Sequence, residues 1–128
     1  MAIRIVRLGS ERAPREGLRF GTVRRPPRGV RKTDYAKRNY YDVWLPLLAP
    51  SADTLKLAKT AVTGRDWDRF MKKYRAEMAA PASKTMLDVL AALSHQTDFS
   101  VGCYCADEAH CHRSVLRRLL QERGAQVL

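Results

Sequence analysis

The sequence has no apolar run near the ~18 residues that a membrane-spanning helix requires, so no membrane span is expected. Its opening, Met1-Ala2-Ile3-Arg4-Ile5-Val6-Arg7, alternates charge with hydrophobe and lacks the continuous apolar core of a signal peptide, which points to a cytoplasmic chain. Cysteine is scarce and odd in number. Cys103, Cys105 and Cys111 fall within nine residues, an arrangement that argues against a disulfide framework and for thiols in a reducing compartment, as ligands or reactive groups. No internal repeat and no low-complexity tract is present. At 128 residues, one domain spanning 1–128 is expected.

Negative charge is the other shortage. Against 24 Lys and Arg stand 13 Asp and Glu, a net charge of +11. The surplus is uneven: residues 1–40 hold twelve basic and three acidic residues, the rest twelve and ten. A partner of opposite sign is implied, either a small anionic ligand or a nucleic acid.

The order of elements suggests where that partner sits. Residues 3–8 and 18–23 read as strands, with Gly21 weakening the second or admitting a neighbour. Residues 24–32 hold two prolines and a glycine among five basic residues, a stiff irregular loop. Residues 39–51 read as a buried extended or single-turn segment around Tyr40, Tyr41, Trp44, Leu45, Leu47 and Leu48. Helices are expected over 53–62, 66–79 and 83–95, the second from the Trp67, Phe70, Met71, Tyr74 and Met78 stripe, the third with Ser83 as N-cap. A strand over 98–104 then runs into a last helix over 109–123, and residues 126–128 form a short terminal strand. The pattern implies an α/β fold: a small single domain with a short, mostly parallel sheet flanked by helices. Ligands of such sheets bind at the carboxyl ends of strands, where the basic loop and the cysteine cluster would meet.

Three constellations carry the chemistry. Arg24 and Arg28 on the stiff loop suit a phosphate, which guanidinium groups grip bidentately; the plainer reading is a solvated basic loop. Cys103, Cys105, Cys111 and His112 or His110 offer a zinc ligand set, although the spacing is not a standard one; otherwise the cysteines are small buried apolar residues. Cys111, at a helix N-terminus beside Arg113, is the candidate nucleophile, its thiol pKa lowered, with His112 or Asp107 as proton carrier. Arg113 and the helix N-terminus would join Arg24 and Arg28 in holding the anion. Asp42, next to a buried Trp44, would orient an arginine of the basic loop. The Trp67, Phe70 and Tyr74 stripe is core, with Tyr74 and Glu77 able to turn polar ends to a pocket, and His95 ends a helix. No cofactor is expected, zinc being the alternative.

Certain of these residues act as a joint signature. Arg24 with Pro27-Arg28-Gly29, Asp42-x-Trp44 leading to Ala49-Pro50-Ser51, Trp67-x-x-Phe70-x-x-x-Tyr74-x-x-Glu77, and Cys103-x-Cys105 with Cys111-His112-Arg113 together resemble the YeaO-like group of the family catalogued as domain of unknown function 488, in its cysteine-containing branch. Where that family has Asp-Arg-Leu-Trp-Pro-Arg-Gly, Val23 replaces the acid and Pro26 the tryptophan, so no Asp–Arg pair inside the loop is expected. The resemblance implies a compact bacterial or archaeal α/β domain and brings no reaction with it. The function expected is a basic pocket for a phosphate-bearing ligand, a nucleotide or nucleic-acid end. The alternatives are a non-catalytic nucleic-acid-binding module that stacks bases on Tyr35, Tyr40 and Tyr41, and a zinc-stabilised interaction domain.

Overall fold

The computed structural model describes residues 1–128. Four strands form one sheet: β1 (Ile3–Arg7), β2 (Leu18–Gly21), β3 (Val43–Trp44) and β4 (Phe99–Cys103). Their order across the sheet is β1-β4-β2-β3, and every pairing is parallel. The last strand in sequence is thus inserted between the first two, with Ile5 and Phe20 both level with Val101. That position explains its composition, since all five residues of β4 are buried. Gly102 is required there: a Cβ would come within 2.7 Å of the Val6 carbonyl oxygen. The expected terminal strand is a single bridge, Ile3 to Val127.

Helices α1 (Ala52–Thr60), α2 (Gly64–Met78), α3 (Pro81–Leu93) and α4 (His112–Glu122) complete the domain. The α2 stripe is core as expected: Phe70, Tyr74 and Met78 pack with Leu87, Val101, Leu116 and Leu120, and Trp67 lies against them, half-buried. The Tyr74 hydroxyl donates to the Leu48 carbonyl at 2.7 Å, which satisfies the one polar atom this ring brings into the core. Thr63 and Asp66 form a reciprocal capping box that starts α2. Helix α3 begins earlier than its sequence suggests. Pro81 occupies the first turn, where its missing N–H costs nothing, and the Ser83 hydroxyl donates to the Leu47 carbonyl rather than capping the helix. No helix is long and apolar enough to cross a membrane.

The segment over 39–51 divides. Tyr41 and Leu48 are buried, but Trp44 is 42% exposed because β3 is a two-residue edge strand with nothing beyond it. Its indole N–H donates to the Val23 carbonyl at 2.8 Å, tying that edge to the start of the basic loop. Gly21 makes room for the Tyr41 ring, which a Cβ would meet at 2.4 Å.

Candidate functional site

Beyond the carboxyl ends of β2 and β4 lies a cleft of about 1040 Å³. On one side, the chain leaving β2 passes through buried Thr22 and Val23 into Arg24, Arg25 and Arg28. That loop is clamped: Arg24 Nε donates to the Pro50 carbonyl at 3.0 Å, the Tyr104 hydroxyl donates to the Arg25 carbonyl at 2.8 Å, and Pro27 is buried. Across from it, α1 contributes Lys56 and Lys59, and the floor is Cys103, Cys105 and His112. Five cationic side chains therefore line the cleft and no carboxylate does. None of the five forms an ion pair. Gathering like charge without ion-pair partners around a concave surface focuses a positive potential within it.

The thiols belong to the strand-to-helix loop. Cys103 ends β4, and Cys111 enters α4 in an extended conformation; each is 2% exposed, and their sulfurs lie 2.7 Å apart. Cys105, between them in sequence, is exposed. The loop is fixed by a 3-10 turn at Glu108–His110, where an Asp107 oxygen accepts from the Ala109 N–H, and by the Glu108–Arg117 ion pair at 2.7 Å. His112 is buried. Its Nε2 must carry the proton, because the partner at 2.8 Å is the Thr22 carbonyl oxygen. Its Nδ1 is left facing the Cys111 sulfur at 3.7 Å. Burial pushes the imidazole pKa down to about 4, so the ring is neutral at pH 7.

These surroundings separate the three thiols. Hydrogen bonding from Cys103 and then Cys111 holds the Cys105 thiol far below its ordinary range against the cost of burial, and the fixed charge of Arg113 adds to the effect. The Cys103 thiol is pushed up by its hydrogen bonds to Cys105 and Cys111 and by burial. For Cys111 the hydrogen bond from Cys103 pulls down, but the one to Cys105 and burial outweigh it, and the thiol is raised. This runs against the expectation of an activated Cys111: that thiol is buried and raised, whereas Cys105 is the exposed thiol and the one shifted downward.

Other expected residues redistribute as well. Arg24, Arg28, Cys103, Cys105 and His112 meet in one cleft, although some eighty residues separate the two stretches. Arg113 does not line it. It is 3% exposed and lies beneath the thiols, one guanidinium nitrogen donating to the Cys105 carbonyl at 2.6 Å and Nε buried without a partner. Asp42 orients an arginine, but a different one: it grips Arg12 at 2.8 and 3.1 Å and accepts from the Arg19 backbone N–H, outside the basic loop. Asp107 accepts from the Ala109 N–H in its turn and pairs with His110 at 2.7 Å, and His112 has its Nε2 proton on the Thr22 carbonyl, which leaves Nδ1 as its open nitrogen. Glu77 turns its carboxylate to Ser51 and Thr54 at the start of α1 and lies near Arg24. Lys56, Lys59, Arg25 and Tyr104 were not singled out in the sequence. The two lysines lie three apart and so share a helix face, the one signal that could have marked them.

A family model described as the active DUF488-N3 subclade matches residues 3–124. The chain belongs to the DUF488 family. No curated protein and no solved structure matches it. The matched span takes in the whole cleft of this DUF488 protein, from the basic loop to the thiol loop.

Cys103, Cys111 and His112 place one donor atom each within 4.8 Å of one another and could hold a metal ion. The commitment of Nε2 to a carbonyl, with Nδ1 facing the thiols, is the arrangement of a ligating histidine. The sulfurs argue the other way. Two thiolates on a tetrahedral zinc, each bonded at about 2.3 Å, stand about 3.8 Å apart. The 2.7 Å contact between Cys103 and Cys111 is too close to bracket the ion.

Proposed function

We propose that this DUF488 protein binds a phosphate-bearing ligand, a nucleotide or a nucleic-acid end, in the cleft between the basic loop, α1 and the thiol floor. One observation carries the reading: five cations and no carboxylate line a cleft large enough for a nucleotide. Phosphate oxygens are the ligand that such a set accepts, arginine by forked hydrogen bonds and lysine as a point charge. Because the Arg24 guanidinium is held by the Pro50 carbonyl, little side-chain entropy is lost when it grips the ligand, and the Tyr104 hydroxyl fixes the loop backbone at Arg25. Cys105 is the exposed thiol on the floor, and where bonds change it is the nucleophile, in keeping with a subclade described as active. Three free cysteines suit a reducing, cytoplasmic setting.

The test is a thermal-shift panel of nucleotides, short oligonucleotides and inorganic phosphate against chloride at equal ionic strength. Ligand at a hundredfold excess over its dissociation constant should stabilise by about 2.7 kcal/mol. A flat panel overturns the reading. Two others have a specific observation behind them. Tyr40 and Tyr104 line the cleft beside the arginines, which favours non-catalytic binding of single strands by stacking; that predicts affinity rising with oligonucleotide length and falling steeply with salt. Zinc on Cys103, Cys111 and His112, with Cys105 as fourth ligand, predicts near-stoichiometric metal in the purified protein.

A further inference from the structure

Three thiols on one loop are more than a binding floor needs, and two of them are placed for each other rather than for a ligand. The Cys103 and Cys111 sulfurs, at 2.7 Å, stand within about 0.7 Å of the 2.03–2.05 Å of a disulfide bond. Both are held from behind. Cys103 is paired with Arg7 of β1, its carbonyl accepting from the Leu8 N–H at 2.8 Å, and Cys111 is fixed as the entry residue of α4. Bond formation between them therefore asks for almost no backbone movement. Neither is accessible, whereas Cys105 is exposed two residues from Cys103, and its backbone N–H reaches the Cys103 sulfur at 3.4 Å. An oxidant arriving through the cleft meets Cys105 first. Beneath the group lies Arg113, whose buried Nε–H has no partner. A packing role for the cysteines leaves that donor an uncompensated cost, whereas negative charge developing on a neighbouring sulfur would satisfy it.

We infer that Cys103 and Cys111 are a buried dithiol that relieves the exposed Cys105 of oxidation by a hydroperoxide, ending as a Cys103–Cys111 disulfide with Cys105 reduced. The inference rests on the cleft of the proposed function, into which Cys105 alone of the three thiols is exposed. The Cys105 thiolate attacks the distal peroxide oxygen, the O–O bond breaks, and the leaving alkoxide or hydroxide takes a proton from solvent, leaving Cys105 as sulfenic acid. The Cys103 thiol attacks the Cys105 sulfur, and the hydroxyl departs with the thiol proton as water. The Cys111 thiol then attacks the Cys103 sulfur, releasing Cys105 as thiolate and its own proton to solvent. The sum is one hydroperoxide and two thiols giving one alcohol or water, one further water and one disulfide. An external dithiol restores the pair by exchange. What the cascade prevents is the second oxidation of Cys105, to an irreversible sulfinic acid.

The chain itself provides the cleavage sites for the test. Chymotrypsin after Tyr104 separates Cys103 from Cys105, and cleavage before Asp107 separates Cys105 from Cys111. Full-length protein treated with one equivalent of hydrogen peroxide, quenched with iodoacetamide and digested in this way should give a Cys103–Cys111 cross-link and an alkylated Cys105. Cys105→Ser should slow the cross-link by about tenfold or more, because a buried protonated thiol is a poor nucleophile. Cys111→Ser should leave Cys105 in a disulfide with Cys103 or carried on to sulfinic acid. Wild-type protein that ends with Cys105 cross-linked, or with Cys105 as sulfinic acid and both buried thiols free, overturns the inference, as does a metal that blocks all three thiols. The wild-type mapping decides even if a variant fails to fold. Stabilisation by inorganic phosphate, measured on the same untreated protein, separates the two proposals: phosphate binding without the cross-link removes only this one, and the cross-link without phosphate binding removes only the anion site.

Discussion

Two arginines nine positions apart in the same basic third of the chain do opposite things. Arg19 is fully buried, and each of its three guanidinium nitrogens is answered: both Glu16 oxygens at 2.8 and 2.9 Å, the Ser10 carbonyl at 2.9 Å and the Asn39 carbonyl at 2.7 Å. It staples the loop after β1 to the sheet, and Ser100 on the central strand completes the network through Glu16. Arg28 stands on a proline-stiffened loop at the mouth of a cleft and meets no carboxylate. Composition counts the two alike. What separates them is whether the fold supplies an acid: where it does, the cation is architecture, and where it does not, the cation waits for a ligand.

That contrast can be broken at either end. Glu16→Ala should have the largest effect, about 3–5 kcal/mol in urea denaturation, because it strands the Arg19 charge in the interior. A loss below 1 kcal/mol would mean that water reaches Arg19 and that the staple is not a buried pair. The next largest comes from His112. Its pKa falls from 6.5 to about 4 on folding, so the neutral ring is the native form, and the unfolded chain binds the proton first as pH drops. Stability is full above about pH 6.5 and declines by up to about 3 kcal/mol as pH falls to 4. A His112→Gln variant, whose amide can still donate to Thr22, should lose that slope; an unchanged slope would assign it to other groups. Arg28→Ala should leave stability within about 0.5 kcal/mol yet weaken phosphate binding by about tenfold, the equivalent of about 1.4 kcal/mol, measured calorimetrically. The reverse pattern would make the loop structural. Smallest of all is Arg75→Ala, which breaks the half-exposed pair with Glu122 for under about 1 kcal/mol and should vanish in high salt.

Legibility in the sequence followed the strength of local signals. The alternation in residues 3–7, the apolar run of β4 and the α2 stripe each sit where one face or one strand must be dry, and their boundaries came out within two residues of expectation. Ser83 misled because a cap is a matter of which backbone N–H is free, and Pro81 had already taken the first turn. Trp44 misled because an indole reads as buried wherever it falls, while an edge strand of two residues has no outer layer to cover it. At the site, Arg24, Arg28, Cys103 and Cys105 were visible because proline, glycine and cysteine punctuate the chain there. Lys56 and Lys59 were not, because on an exposed helix face a lysine facing a cleft and one facing water look the same.

The sequence by itself determined the class of fold, the irregular basic loop and the strand-to-helix thiol loop, since each follows from periodicity or from residues that restrict the backbone within a few positions. Only the tertiary structure decided which cysteine is exposed, that Arg113 lies under the sulfurs instead of over the cleft, and that Asp42 belongs to Arg12. Those outcomes depend on which groups meet across tens of residues, and charge, burial and hydrogen bonding act through distance in space, which spacing along a chain does not record.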